Sequence, residues 1–214
     1  MKVKLISYSQ QPTGEVVMGN LNELIAYCAR VSNPANQFNM ETADKLISYL
    51  VKNKHWSPLE MVSLCLEVET TRDIARQLLR HRSFSFQEFS QRYADPTKEL
   101  DFVLREARLQ DTKNRQNSIK TDDEVIVSEW NKRQQEVIDK VKENYQWAID
   151  NGIAKEQARV ILPEGNTVSR LYVNGTIRSW AHYCEVRTEN GTQLEHIELA
   201  KAIAEVISTV FKLP

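Results

Sequence analysis

Met61–Tyr93 reads MVSLCLEVETTRDIARQLLRHRSFSFQEFSQRY, and its periodicity changes along the way. Through Val68 the apolar residues alternate, with Val62, Leu64, Leu66 and Val68 on one face, which predicts a strand with one buried side. From Arg72 to Leu79 the spacing is helical, Ile74 stacking on Leu78 and Ala75 on Leu79. Then charge takes over. Arg76, Arg80, Arg82, Arg92, His81, Glu88 and several hydroxyls crowd the segment Arg76–Tyr93.

On either side the same two periods recur. Val3–Tyr8 alternates as a strand, while Leu21–Ala29 and Thr42–Val51 read as helices, the second with Ala43, Leu46, Ile47 and Leu50 on one stripe. Asp111–Asp122 is polar and predicts a mobile loop. A long amphipathic helix follows over Asp123–Ile149, its stripe made by Val125, Trp130, Val137, Val141, Tyr145 and Ala148. A strand over Thr167–Val173 is expected to stop at the turn signal Asn174-Gly175, ahead of helices over Ile177–Val186 and Thr192–Phe211. Strands and helices are segregated rather than alternating. This predicts an α+β fold, a mostly antiparallel sheet flanked by helices, in one domain covering residues 1–214.

Composition narrows the function classes. The chain has 28 Lys+Arg against 29 Asp+Glu, for a net charge of -1, so an anion site must come from local clustering and not from the overall field. Cys28, Cys65 and Cys184 are widely spaced and lack a C-x-x-C pair, which argues against a disulfide framework or a cysteine zinc site. The opening MKVKLISYSQ is too short in apolar residues for a signal peptide, and no run suits a membrane span. The expected location is a reducing cytoplasm, or a host's cytoplasm if a virus encodes the chain. Neither G-x-G-x-x-G nor G-x-x-x-x-G-K-[ST] occurs, so phosphates would be held another way. With four histidines and no H-E-x-x-H, a metal site is not expected.

Arginine forks donate paired, charge-assisted hydrogen bonds to phosphate. Arg80 and Arg82 lie about 200° apart on a helix, but an extended chain would align them and turn His81 the other way. Ser90 and Arg92 would align likewise. The interleaved Phe84, Phe86, Phe89 and Tyr93 also suit base stacking. On residues alone, a small-nucleotide site and an RNA-binding strip stand level. A third reading makes the long helix a docking surface.

Arg80-His81-Arg82, followed after seven residues by Ser90, resembles the R-H-R-x7-S signature of flavin-dependent thymidylate synthases. Gln77, Glu88 and the closing Ser90-Gln91-Arg92-Tyr93 agree with it. Upstream, Ala29-Arg30-Val31-Ser32 and His55 with Ser57-Pro58-Leu59-Glu60 are similar to family segments. Downstream, Ala158–Pro163 resembles A-R-x-x-L-P, and Arg178-Ser179-Trp180, His182 and Arg187 follow R-[SA]-W-x-[HN]-x4-R. Thr176 departs from the family's frequent Asn, and Gly191 from a frequent His.

The resemblance implies reductive methylation of dUMP to dTMP, with FAD as hydride carrier, 5,10-methylenetetrahydrofolate as carbon donor and NADPH as reductant. It implies flavin contacts for Ser32, His55, Ser57, Arg80, His81, Arg82, Glu88, Thr176, Arg178 and His182. For dUMP it implies Gln77, Arg80, Glu88, Ser90, Gln91, Arg92, Arg159 and Arg187. Arg187 takes the catalytic role, as a cation at the uracil edge. It further implies a homotetramer with active sites shared between subunits, and neither nucleic acid nor membrane as partner. Helical geometry accords with sharing: Arg178 and His182 lie about 40° apart, whereas Arg187 is about 900° on from Arg178 and nearly opposite. The cysteines are expected to be packed side chains without an activating base. His196 is expected on a helix surface.

Overall fold

The computed structural model describes residues 1–11 and 18–212. Strands β1 (Lys2–Tyr8), β2 (Ser63–Thr71) and β3 (Ser85–Glu88) join a later strand in one sheet, and β4 (Arg108–Gln110) pairs with β5 (Ser118–Lys120) in a separate ribbon. That later strand is β6 (Val168–Thr176). The sheet order is β1-β2-β6-β3 with every neighbour antiparallel, as the segregated pattern predicts. The polar pattern of residues 111–122 predicts only loop, yet β5 forms within that segment and pairs with β4 just before it.

One face of the sheet is apolar. Leu64, Leu66 and Val68 of β2 and Leu171 and Val173 of β6 are buried on it. Covering them are α1 (Leu21–Ala29), α2 (Ala43–Lys52), α3 (Arg72–Leu78) and two C-terminal helices that contribute Trp180, Tyr183, Leu199 and Ile203 to the same core. The opposite face is polar, with Arg170 donating to Glu69 across the ladder. Alternation along each strand separates the two faces.

A short α4 (Pro96–Glu99) precedes the ribbon, and α5 (Glu124–Asp150) follows it, capped by Asp123, whose carboxylate accepts from Val125 and Ile126 amides. At 27 residues α5 is about 40 Å long. Its predicted stripe is only half right. Tyr145, Ala148 and Val141 join a second core with Ala158 of α6 (Lys155–Ala158) and Leu162. Val125, Trp130 and Val137 are exposed, Val125 at 78%, although the Trp130 indole N–H still donates to the Arg105 carbonyl. Gln134 and Ile138 are the buried positions there.

A further correction concerns Asn174-Gly175. Strand β6 passes straight through this dipeptide, pairing Gly175 with Leu64, before α7 (Ile177–Thr188) starts and leads to α8 (Leu194–Ser208). The glycine serves close packing here and not a turn. A Cβ at 175 would stand 2.2 Å from Phe84 Cδ1, and the Phe84 ring lies 4.3 Å from that of Trp180. Gly175→Ala therefore destabilises the chain by about 1–3 kcal/mol, the usual cost of overpacking. The readout is a lower denaturant midpoint with unchanged slope. A G175A variant as stable as the parent would mean that Phe84 has room to move.

Candidate active site

Helix α3 ends in a turn at Leu79-Arg80, and a second turn follows at Arg82-Ser83 before β3. The segment is thus not the extended one expected, because His81 N–H bonds back to the Leu78 carbonyl and Phe84 N–H to that of His81. Even so, Arg80 and Arg82 are exposed while His81 turns inward. Phe84 is buried and Phe86 packs against the core, which removes them as a stacking platform for RNA bases.

Arg187, in the last turn of α7, donates from Nε to His81 Nε2 at 2.8 Å. This joins residues 106 apart in sequence and brings the signature to the C-terminal arginine. The His81 ring meets Tyr183 edge-on at 5.0 Å. Burial, together with the charges of Arg187 and His182, lowers the His81 pKa to about 4, so its Nε2 is an acceptor at neutral pH.

Behind Tyr183 lies His196, which is fully buried, contrary to the expected surface position. Its Nδ1 is 3.0 Å from Gln77 Oε1 and its Nε2 is 3.1 Å from Tyr183 Oη. Burial, then Arg187 and His81, push its pKa down to about 3. The signal was present in the sequence, since His196 continues the buried stripe Leu199, Ala200, Ile203 and Ile207 at helical spacing.

Arg178 and His182 share the next face of α7. They line a cavity of about 580 Å³ with Lys54, Trp56, Glu60, Ser83, Ser179 and Glu185. Arg178 is paired with Glu60. Trp56, Lys54 and Ser83 escaped the sequence reading, although Trp56 sits between the motif residues His55 and Ser57. His55 and Ser57 are exposed, the His55 ring edge-on to Tyr49, and Ser32 is exposed in the turn after α1. Arg30, just before it, is buried and bonds Asn39 and Thr42, shaping that turn. Thr176 caps α7, its hydroxyl accepting from the Ser179 amide. Gly191 has φ +94°, a left-handed conformation suited to glycine in the α7–α8 turn.

A second grouping forms beside the smaller core. Ser90–Arg92 is a turn and not an extended strand, its Oγ accepting from the Arg92 amide and its carbonyl from Tyr93 and Ala94. Arg92 pairs with the Glu156 carboxylate at 3.5 Å, and Arg159 Nε donates to the Glu156 carbonyl at 3.3 Å. Glu88 Oε1 accepts from Ser169 and Arg72. Gln91 is buried, with Nε2 lacking a partner among the described residues. Burial raises the pKa of all three cysteines, Cys184 to about 12. Among the described residues no cluster of His, Cys, Asp and Glu gathers for a metal ion, and no helix is long and apolar enough to cross a membrane.

Residues 16–211 match the family model described as thymidylate synthase complementing protein. A probable flavin-dependent thymidylate synthase of Paramecium bursaria Chlorella virus 1 is 49% identical over 211 residues, 99% of this chain and 95% of the relative. A flavin-dependent thymidylate synthase of Synechocystis is 50% identical over 188 residues, 88% of this chain and 85% of the relative. The crystal structure of a UMP/dUMP methylase from Streptomyces cacaoi, bound with 5-Br dUMP, superposes with a TM-score of 0.74 at 26% identity, over 98% of this chain and 90% of that one. With the signature and the C-terminal arginine meeting in one fold, this chain belongs to the thymidylate synthase complementing protein family, that of the flavin-dependent thymidylate synthases.

Proposed function

We propose that this chain methylates dUMP to dTMP, taking the carbon from 5,10-methylenetetrahydrofolate, with FAD as hydride carrier and NADPH as reductant. The observation that carries the reading is the Arg187–His81 contact. A neutral His81 accepts from Arg187 Nε, which steadies the guanidinium and leaves its outer N–H groups for the uracil edge. A cation there stabilises negative charge on the ring and raises nucleophilicity at C5. A protein thiolate does not fit this role, since burial disfavours the charged form of each cysteine.

The cavity beside His182 suits part of a flavin dinucleotide. Lys54 and Arg178 offer cations for a pyrophosphate and Trp56 an aromatic wall, within the size range of cofactor pockets. When bound, the flavin supplies the hydride that completes the methyl group. Ser32, His55, Ser57, Arg80, Arg82 and Thr176 complete the proposed flavin-holding set, with Glu88 at its border with the nucleotide. Gln77, Ser90, Gln91, Arg92 and Arg159 would hold dUMP with Arg187.

These nucleotide residues divide between two cores of one subunit, which supports a site assembled from several. The exposed Val125, Trp130 and Val137 of α5 supply an apolar stripe for such contacts. We therefore propose a homotetramer with shared active sites, acting in the cytoplasm.

The test is a visible spectrum of the purified protein with FAD and then dUMP, followed by assay of dTMP. A flavin spectrum perturbed by dUMP is expected, and Arg187→Ala should lower turnover by about 100-fold or more while FAD stays bound. A protein that takes up no FAD would overturn the reading.

Stability carries a pH signature of the same histidines. Their folded pKa values, about 4 for His81 and about 3 for His196, lie below the ordinary 6.5, so the unfolded chain protonates first as pH falls. Their contribution is whole above 6.5 and is lost progressively down to the folded values. The thermal midpoint is thus expected to be level from about pH 8 to 7 and to fall between about 6.5 and 5. His196→Leu should flatten that fall, and an equally steep fall in the variant would assign it to other groups.

A further inference from the structure

Glu195, Gln193, Gln77, His196 and Tyr183 form a chain of hydrogen bonds whose direction is set from one end. The Glu195 carboxylate sits between Arg105 and Arg108, with its pKa lowered, and can only accept. Gln193 must therefore turn its Nε2 toward it, at 3.0 Å. That leaves Gln193 Oε1 to accept from Gln77 Nε2 at 2.8 Å. Gln77 Oε1 is then the acceptor facing His196, so Nδ1 carries the imidazole proton. His196 Nε2 is left bare and accepts a hydrogen bond from the Tyr183 hydroxyl. Every amide and tautomer in the chain follows from one fixed negative charge.

Burial makes this arrangement costly to leave incomplete. His196 is wholly enclosed, as is Tyr183, and an unmatched donor or acceptor at either would lose its full solvation. Gln77 differs, being half-buried at the end of α3, four residues before His81. With one Nε2 hydrogen and one Oε1 lone pair committed, its second hydrogen and second lone pair stay available to a ligand. A free glutamine amide could present either edge in either place, whereas this one is pinned.

We infer that His196 is a positioning residue for nucleotide binding, holding at Oε1 the orientation that Gln193 imposes at Nε2, so that the Gln77 amide always turns the same donor and acceptor toward dUMP. The inference rests on the reading of Gln77 as a dUMP contact. His196 does not itself touch the substrate. Its ring also holds the Tyr183 hydroxyl, whose ring abuts His81, so the two ends of the proposed dUMP contact set share one internal support.

The experiment uses the full-length, FAD-loaded protein and measures dUMP affinity by calorimetry and by perturbation of the flavin spectrum, alongside the thermal midpoint. Gln77→Ala is expected to weaken dUMP binding about tenfold, the scale of one hydrogen bond. His196→Leu should weaken it comparably and also lower the midpoint, since the Tyr183 hydroxyl is orphaned. The double variant Tyr183→Phe with His196→Leu leaves no orphaned hydroxyl and should recover most of the midpoint, yet still bind dUMP weakly because Gln77 lacks its donor. His196→Asn, whose amide N–H can replace Nδ1–H, should recover part of the affinity. A double variant with parental dUMP affinity, while Gln77→Ala remains weak, would overturn the positioning role alone. Parental affinity in Gln77→Ala would overturn the reading of Gln77 as well.

Discussion

The ladder between β2 and β6 is the constraint from which the site follows. It runs unbroken from Ser63 opposite Thr176 to Thr71 opposite Val168, a length of about 27 Å. Because the pair is antiparallel, the helices launched directly from it start at opposite ends. Helix α3 leaves from Thr71 and α7 from Thr176, and both return over the buried face. Seven residues of α3 cover about 10 Å, and α7 as far as Arg187 about 16 Å, which together nearly span the ladder and bring their C-terminal ends together. His81 and Arg187 touch there.

Two helix C-termini brought together concentrate partial negative charge. The cations at this junction, Arg80 and Arg82 after α3 and Arg187 at the end of α7, offset it. No overall basic charge is needed, which fits a chain of net charge -1.

Much of this was legible in the sequence. Period-two runs located β2 and most of β6, and helical stripes located the main helices, since alternation reports which side of an element is buried. The motif residues Arg178 and His182 were placed on one helix face and Arg187 on another, as found. What the sequence hid depended on distant partners. Asn174-Gly175 looked like a turn until Phe84 was seen to occupy the space a side chain would need. Val125, Trp130 and Val137 have the spacing of a core stripe, but spacing does not say whether the cover comes from the same chain. His196 was judged by residue type when its position on the α8 stripe was the better guide. Ser90 and Arg92 were aligned as if extended, whereas Ser90 closes a turn by accepting from the residues after it.

The protonated thiols also bear on how such a protein fares under oxidative stress. Peroxide attacks thiolates first, carrying them to sulfenic and higher acids. Cys28, Cys65 and Cys184 are all held toward the unreactive thiol form. The groups gathered around Arg187 are guanidinium, imidazole, phenol and amide, none of which enters that sulfur chemistry. Oxidants that silence cysteine-dependent enzymes would find little at this junction to modify.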